Sequence, residues 1–313
     1  MRALVTGGNG FVGRHLTAAL RALGDDVVTA GHPHAGSEAD LALELADLES
    51  VRAAVSAARA EVVFHLAAQT FVPDATRDPL RTYDVNVLGT ARLYEALHEV
   101  YDARQAPRVV VTSSGEVYGA REGAELPLRE SLAPRPATAY AAAKAGAEAI
   151  ALAAGHTYGI PTIVTRAFNH IGPGQSERFA VAAFASGLAA IAAGGPARLP
   201  VGNLETQRDF LDVRDVVGAY LALAERGVPG EIYNVCSGRP VAIGEVLRQL
   251  ITIAHVPVEV REDPARVRAS DVPVAYGDNA KLRALTGWEP HYSLARSLRD
   301  VYADARERLG VAP

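Results

Sequence analysis

The 313-residue sequence predicts an α/β fold: a doubly wound parallel sheet with a smaller C-terminal α/β lobe that faces a substrate. Two observations carry this. In the first half, short apolar runs of β type alternate with Ala- and Leu-rich helical stretches, the pattern of parallel strands covered on both faces. After about Asn169 the rhythm changes to longer connections and scattered elements. The strands expected are 2–6, 26–30, 61–67, 108–114 and 161–168. The helices between them are 11–23, 49–60, 79–102 and 138–158. Beyond Asn169, the loops Gly172-Pro173-Gly174 and Gly194-Gly195-Pro196 precede helices at 215–225 and 243–254 with a strand at 231–236 between them. Residues 257–273 read as charged and irregular, and 294–309 as a final amphipathic helix. The expected division is 1–168 plus about 211–238 for the sheet domain, with 169–210 and 239–313 for the substrate lobe.

Composition narrows the class. The chain is 49% hydrophobic and 21% charged, ordinary for a globular protein. No apolar run approaches the length that spans a bilayer, so no membrane segment is expected. Met1 to Thr6 runs at once into a glycine-rich loop without an apolar leader, so the cytoplasm is the expected compartment. A formal charge of −5 lacks the basic balance of a nucleic-acid binder, and no nucleic-acid partner is expected. Cys236, the only cysteine, sits in an apolar stretch and reads as a buried inert thiol. The histidines show no metal-ligand spacing, so no metal site is expected.

The first chemistry-bearing motif is Thr6-Gly7-Gly8-Asn9-Gly10-Phe11-Val12-Gly13. It follows the first strand and opens the first helix, so its glycines permit a tight turn and close backbone approach. The helix N-terminus then offers N–H groups and a positive dipole end to a pyrophosphate. Dinucleotide binding on a Rossmann half is the expectation, with Gly7, Gly10, Phe11, Val12 and Gly13 as contacts. The stretch Thr29-Ala30-Gly31-His32-Pro33-His34 carries no carboxylate to bond ribose hydroxyls. A 2′-phosphate meets no repulsion there and finds His32 nearby, although no arginine stands in the stretch. The balance favours NADP(H), with NAD(H) also usable. Glu44 and Leu45 are the expected adenine contacts.

The second motif is Tyr140-Ala141-Ala142-Ala143-Lys144 on an Ala-rich helix. Its i, i+4 spacing puts phenol and ammonium on one face. A free phenol titrates near 10, and a neighbouring cation favours its charged form, which brings Tyr140 toward general acid/base work. Lysine is otherwise represented only by Lys281, so its place at 144 is informative. Ser113 and Ser114 end the preceding strand, where a hydroxyl reaches a substrate oxygen.

Together the TGxxGxxG loop, the strand-end serine and YxxxK resemble the extended short-chain dehydrogenase/reductase family. The resemblance implies that Ser114 orients the reacting oxygen and Tyr140 transfers the proton. Lys144 then holds the nicotinamide ribose and lowers the tyrosine pKa. His65-Leu66-Ala67-Ala68 resembles the family's cofactor-lining third strand, which implies contacts from Leu66, Ala67 and Ala68. Asn86 matches its structural asparagine. Ala-rich helices of this kind build a four-helix interface in the family, which implies a homodimer.

Downstream the resemblance narrows to the group of GDP-4-keto-6-deoxymannose reductases and GDP-mannose 4,6-dehydratases. Carrying it are 166–175, Val201-Gly202-Asn203-Leu204-Glu205, Arg208-Asp209-Phe210, Asp212 to Asp215, 233–238, 270–273 and 287–290. The stretch 170–176, HIGPGQS, is similar to the reductases, as is the chain length. The resemblance then implies reduction of GDP-4-dehydro-6-deoxy-D-mannose at C4 to GDP-D-rhamnose. Glu116, two positions beyond Ser114, keeps the alternative open, a GDP-mannose 4,6-dehydratase with Glu116 as the base at sugar C5. Asn169, Arg208, Arg268 and Asp271 are the implied contacts to the GDP-sugar, the arginines suited to diphosphate by their forked donors. Arg166 is expected as a buried structural partner. Guanine rests on resemblance alone, and the stereochemistry at C4 stays open.

Overall fold

The computed structural model describes residues 1–32, 39–266 and 272–310. The chain begins β1 (Arg2–Thr6), α1 (Phe11–Ala22), β2 (Asp26–Gly31), β3 (Leu41–Ala42), α2 (Leu48–Ala58), β4 (Val62–His65), α3 (Val72–Arg77) and α4 (Pro79–Tyr83). A π turn (Asp84–Leu88) leads into α5 (Gly89–Val100), then β5 (Arg108–Ser114), α6 (Ala139–Tyr158), β6 (Thr162–Ala167) and β7 (Asn169–Ile171). There follow α7 (Ala180–Ala192), β8 (Arg198–Val201), β9 (Gln207–Asp212), α8 (Val213–Arg226), β10 (Ile232–Val235), β11 (Pro240–Ala242) and α9 (Ile243–Ala254). The last elements are β12 (Glu259–Glu262), β13 (Val274–Ala275), α10 (Ala280–Thr286) and α11 (Leu294–Arg308).

Seven strands form one parallel sheet in the order β10-β6-β5-β4-β1-β2-β3. This is the doubly wound Rossmann arrangement. Its apolar strands are buried on both faces. Ala3, Val5, Phe64 and Val110 pack toward α1 and α8, while Leu4, Val63, Val109 and Val111 pack toward α2, α5 and α6. Each such side chain contributes roughly 1.5–3 kcal/mol when fully buried. The direction of winding reverses between β1 and β4, and a crevice opens there at the strand ends.

The second lobe holds β11-β9-β13 with β7 also on β9, and the pair β12-β8, packed with α7, α9 and α11 around Phe184, Leu188, Val246, Leu250 and Val301. Three details differ from the sequence reading. The expected helix 79–102 is broken by the π turn at Asp84–Leu88. The stretch 257–273 is not wholly irregular, because Glu259–Glu262 pairs in parallel with Arg198–Val201. Helices α3, α7 and α10 and strands β3, β7, β8, β9, β11 and β13 have no counterpart among the expected elements. Among the described residues no helix is long and apolar enough to cross a membrane.

Candidate active site

The glycine loop leaves β1 at the crevice and turns into α1. Gly7 has φ +71°, and a Cβ there lies 2.8 Å from the Ala67 nitrogen. At Gly13 an added Cβ meets the Gly7 carbonyl oxygen at 2.1 Å, so only glycine lets the first turn of α1 press onto the loop. Gly10 is the N-cap of α1 and supplies no side-chain cap, which leaves the first N–H groups facing outward from the loop. Phe11 and Val12 are half-buried, Val12 against the core behind the loop.

The β4 end is tied to this loop by a fully satisfied network. Thr90 Oγ1 donates to the Asn86 carbonyl (2.7 Å), so it accepts from His65 Nε2 (3.3 Å). His65 Nδ1 is then the acceptor for Thr6 Oγ1 (2.9 Å), which itself accepts from Ala67 N (3.2 Å). Burial pushes His65 down to about 3, with Lys144 adding to the effect, so it stays neutral across the working range. Asn86 accepts from Gln69 N (2.8 Å) and donates to Gln69 O (2.9 Å), fixing the segment that contains Leu66, Ala67 and Ala68. The π turn that breaks the expected helix is the turn that carries Asn86.

At the far end of β2 the sequence reading finds no carboxylate, yet two reach the region from later in the chain. Asp40 Oδ2 accepts from Thr29 N and Thr29 Oγ1, both at 2.8 Å, and these bonds hold it below its ordinary pKa. Glu44 stands 3.4 Å from His32 Nε2. Asn9 Nδ2 donates to the His32 carbonyl (3.1 Å), which fastens the loop to the β2 end. Leu45 is 5% exposed and its side chain belongs to the core, against Gly89. An adenine contact from Leu45 therefore falls to its backbone.

The catalytic candidates converge at the end of β5 and the start of α6, whose N-cap Thr138 accepts from Ala141 N (3.1 Å). Ser114 Oγ accepts from Glu116 N (3.1 Å) and lies near enough to the Tyr140 phenol to favour its ionised form. Ser113 points elsewhere: it is buried and in register with Arg166. Lys144 Nζ donates to the Thr112 carbonyl at 2.8 Å. Burial pushes the Tyr140 phenol above its ordinary value, the Glu116 carboxylate adds to the rise, and the Ser114 hydroxyl opposes it. Lys144 is drawn down to about 8 by burial, with Glu148 opposing. The expectation that the ammonium lowers the phenol is thus reversed here, because desolvation outweighs any help from Lys144. The phenol is therefore protonated and a weaker acid than a free phenol, so its donation depends on stabilising the negative oxygen it leaves.

Substrate-lobe candidates are less concentrated. Asn169 is exposed at the start of β7, beside His170, whose ring stacks on Phe11 (6.0 Å, 11°). The loop after β7 is clamped to α1: His15 Nε2 donates to the Pro173 carbonyl (2.9 Å) and Arg14 to that of Gly174 (3.0 Å). Arg208 is half-buried and donates to the carbonyls of Gln207 (2.9 Å) and Val272 (2.6 Å). Arg268 and Asp271 lie outside the described residues. Two groups near the site escape the sequence reading, Asp40 and Glu148, the latter a turn beyond Lys144 on the same helix. Among the described residues there is no group of three His, Cys, Asp or Glu arranged to hold a metal.

A profile of the GDP-mannose 4,6 dehydratase family matches residues 4–301. Over 98% of its length the chain is 41% identical to the GDP-6-deoxy-D-mannose reductase of Pseudomonas aeruginosa, covering 98% of that protein. The fold is similar to the structure of RMD from Pseudomonas aeruginosa complexed with NADPH, with TM-score 0.88 and 38% identity over 98% of this chain and 100% of that one. It is also similar to the UDP-glucose 4-epimerase of Thermus thermophilus in complex with NAD. There the TM-score is 0.87 and the identity 30%, over 98% of this chain and 99% of the other.

Proposed function

Because the chain belongs to the GDP-mannose 4,6-dehydratase family, we propose that it is the reductase of that chemistry, converting GDP-4-dehydro-6-deoxy-D-mannose at C4 to GDP-D-rhamnose with NADPH. The observation that carries the proposal is the buried Tyr140 phenol near the Ser114 hydroxyl and one helical turn from the buried Lys144, in a chain 41% identical to a GDP-6-deoxy-D-mannose reductase.

The residues present fit a dinucleotide. The cradle at Gly7 and Gly13 is one that a single Cβ fills, and the α1 N-terminus carries no side-chain cap. Gly7, Gly10, Phe11, Val12 and Gly13 would hold its pyrophosphate end, His32, Glu44 and the Leu45 backbone its adenosine end, and Leu66, Ala67, Ala68, Tyr140 and Lys144 its nicotinamide end. When bound, the cofactor supplies the hydride. NADP(H) is favoured by the NADPH-bound relative, and NAD(H) is usable, since the Asp40 and Glu44 carboxylates reach the end of β2.

In the reduction Ser114 orients the C4 carbonyl oxygen and Tyr140 donates its proton to that oxygen as C4 becomes tetrahedral. The ketone is reduced to the alcohol, and the Tyr140 oxygen left negative is stabilised by the Lys144 ammonium until solvent returns the proton. Asn169, Arg208, Arg268 and Asp271 are proposed to bind the sugar and diphosphate. The lobes are proposed to divide as 1–168 plus about 211–238 against 169–210 and 239–313, the cleft between them holding the GDP-sugar.

The test has two arms. With the keto sugar, NADPH absorbance falls and proton NMR of the product shows the rhamno configuration at C4; a talo product corrects the stereochemistry. With GDP-mannose and no reduced cofactor, no 4-keto sugar forms. Its formation would make Glu116 a C5 base and the protein a dehydratase.

A homodimer is also proposed. Leu80 (77% exposed), Leu88 (49%) and Tyr83 (36%) line up on α4 and the π turn, next to the small-residue face of α6. Sedimentation is expected to give twice the 32.9 kDa chain mass, and a monomer at micromolar concentration counts against it.

A further inference from the structure

Glu148 lies one helical turn beyond Lys144 on α6, and both are buried, at 4% and 5% exposure. Arg166 of β6, 2% exposed, grips the Glu148 carboxylate through two bonds, Nε to Oε1 at 2.9 Å and Nη2 to Oε2 at 2.7 Å. The guanidinium also lies 4.7 Å above the Tyr118 ring, and the Tyr118 hydroxyl donates to Asn234 (2.7 Å). Asn234 in turn donates to the carbonyls of Leu128 (2.9 Å) and Asp278 (3.2 Å). The carboxylate is therefore locked in place by a guanidinium that is itself fixed.

We propose that Glu148, held by Arg166, is a positioning residue for the proton transfer: it keeps the buried Lys144 charged, so that the negative oxygen left on Tyr140 meets a cation. This rests on the reading of Tyr140 as proton donor. A buried ammonium is disfavoured by desolvation, and a fixed carboxylate one turn away is the usual means of offsetting that. The pair has this role because neither charge is free to be solvated, and a bidentate partner prevents the carboxylate from turning to bond Lys144 outright.

The other groups around Lys144 do not supply the compensation. His65 on β4 is neutral, tied to Thr6 and Thr90. Glu116, on the turn after β5, acts on the Tyr140 phenol and raises it. Tyr118, on that same turn, is pushed up to about 12 by burial and stays neutral. On the elements packed against α6 from outside the sheet, Asp84 of the π turn is paired with Arg92 and Tyr94 of α5 is tied to Thr162. Thr112 contributes only its carbonyl to Nζ.

The chain has just two lysines, so protein labelled with ¹³C at lysine Cε gives two NMR signals, and Lys281→Arg assigns them. Lys144 is expected to titrate near 8 in the wild type. In Glu148→Gln the lone Arg166 charge remains, and the Lys144 titration falls by about one pH unit or more, a tenfold smaller charged fraction above it. In Arg166→Gln the carboxylate is left alone and the titration rises. The double variant removes both charges, leaves no lone buried ion, and titrates between wild type and Glu148→Gln.

A loosening of the packing moves both single variants the same way, so opposite directions are the signature of the proposed role. One shared titration point, or shifts of one sign, overturns it. Should a single variant fail to fold, the double variant still decides, since a titration equal to the wild type's removes the proposal. Single-turnover reduction by Glu148→Gln is expected about fivefold slower than wild type at pH 8 and close to it at pH 6, where Lys144 is largely charged in both. The NMR titration needs no turnover, so it stands even if Tyr140 is not the proton donor, and loss of that reading shows separately in the Tyr140→Phe rate.

Discussion

Replacing Tyr140 with Phe is expected to lower kcat for the keto sugar by about 10²–10⁴-fold, the range lost when a positioned general acid is removed. The phenol is 9% exposed and its ring is part of the α6 packing, which Phe preserves. The lost hydroxyl lies near Ser114, and that serine keeps its bond from Glu116 N. Fold and cofactor affinity therefore change little, and thermal unfolding and NADPH fluorescence titration are expected within experimental scatter of the wild type. The loss falls on the step in which the C4 oxygen gains its proton, so kcat and kcat/KM drop together.

The direction of the Tyr140 shift matters to this result. A phenol carries its proton at neutral pH in any case, and burial with Glu116 nearby makes that proton harder to give up. The same environment makes the departing charge costly, which is why Lys144 must be charged at that moment. A Tyr140→Phe enzyme that retains a tenth or more of the wild-type rate would assign the proton to Ser114 or to water instead.

Much of this site is legible in the sequence because its parts are close along the chain. The loop from Thr6 to Gly13 is a single stretch between a strand and a helix, and Tyr140 and Lys144 are one turn apart on one helix. Local spacing determines such geometry, and the parallel sheet follows from alternating short apolar runs. The second lobe is harder to read for the opposite reason. Its strands are two to six residues long and pair across distant segments, β12 with β8 and β13 with β9, so no local period marks them.

Charge relations across the fold are equally hidden. Asp40 lies ten residues past Ala30 yet bonds Thr29, and Glu148 reads as one polar residue on an Ala-rich helix until β6 brings Arg166 against it. The π turn escapes notice because Asp84–Leu88 has ordinary helical composition. Asn86 needs that extra residue per turn to face the segment after β4, and the need comes from the neighbouring loop rather than from the turn itself. The sign of the Tyr140 shift also depends on burial, which spacing alone does not report.

Gly13→Ala is expected to be a severely damaging single methyl at the glycine loop. The new Cβ lands 2.1 Å from the Gly7 carbonyl oxygen and 2.7 Å from the Gly8 Cα, both backbone atoms that no rotamer change can move. Helix α1 must tilt away from the loop by on the order of 1 Å to restore contact, and a displacement of that size at a reacting or binding site typically costs about 100-fold. The loop cannot follow freely, since Gly7 N is fixed to the Ala30 carbonyl (2.6 Å) and Asn9 to His32 (3.1 Å). Overpacking of this kind also destabilises by about 1–3 kcal/mol. Cofactor affinity is therefore expected to fall about 100-fold while Tyr140 and Lys144 keep their places on α6. Raising NADPH in proportion should then recover most of kcat. The measurement is a fluorescence titration of NADPH against Gly13→Ala, with Gly24→Ala as the control. Gly24 has φ +84°, so alanine there brings a stability cost of similar size, about 1–2 kcal/mol, while its Cβ meets nothing within 4 Å. Equal affinity in the two variants would mean that the loop does not hold the dinucleotide. A loss confined to Gly13→Ala ties cofactor binding to a helix–loop contact that only a glycine allows.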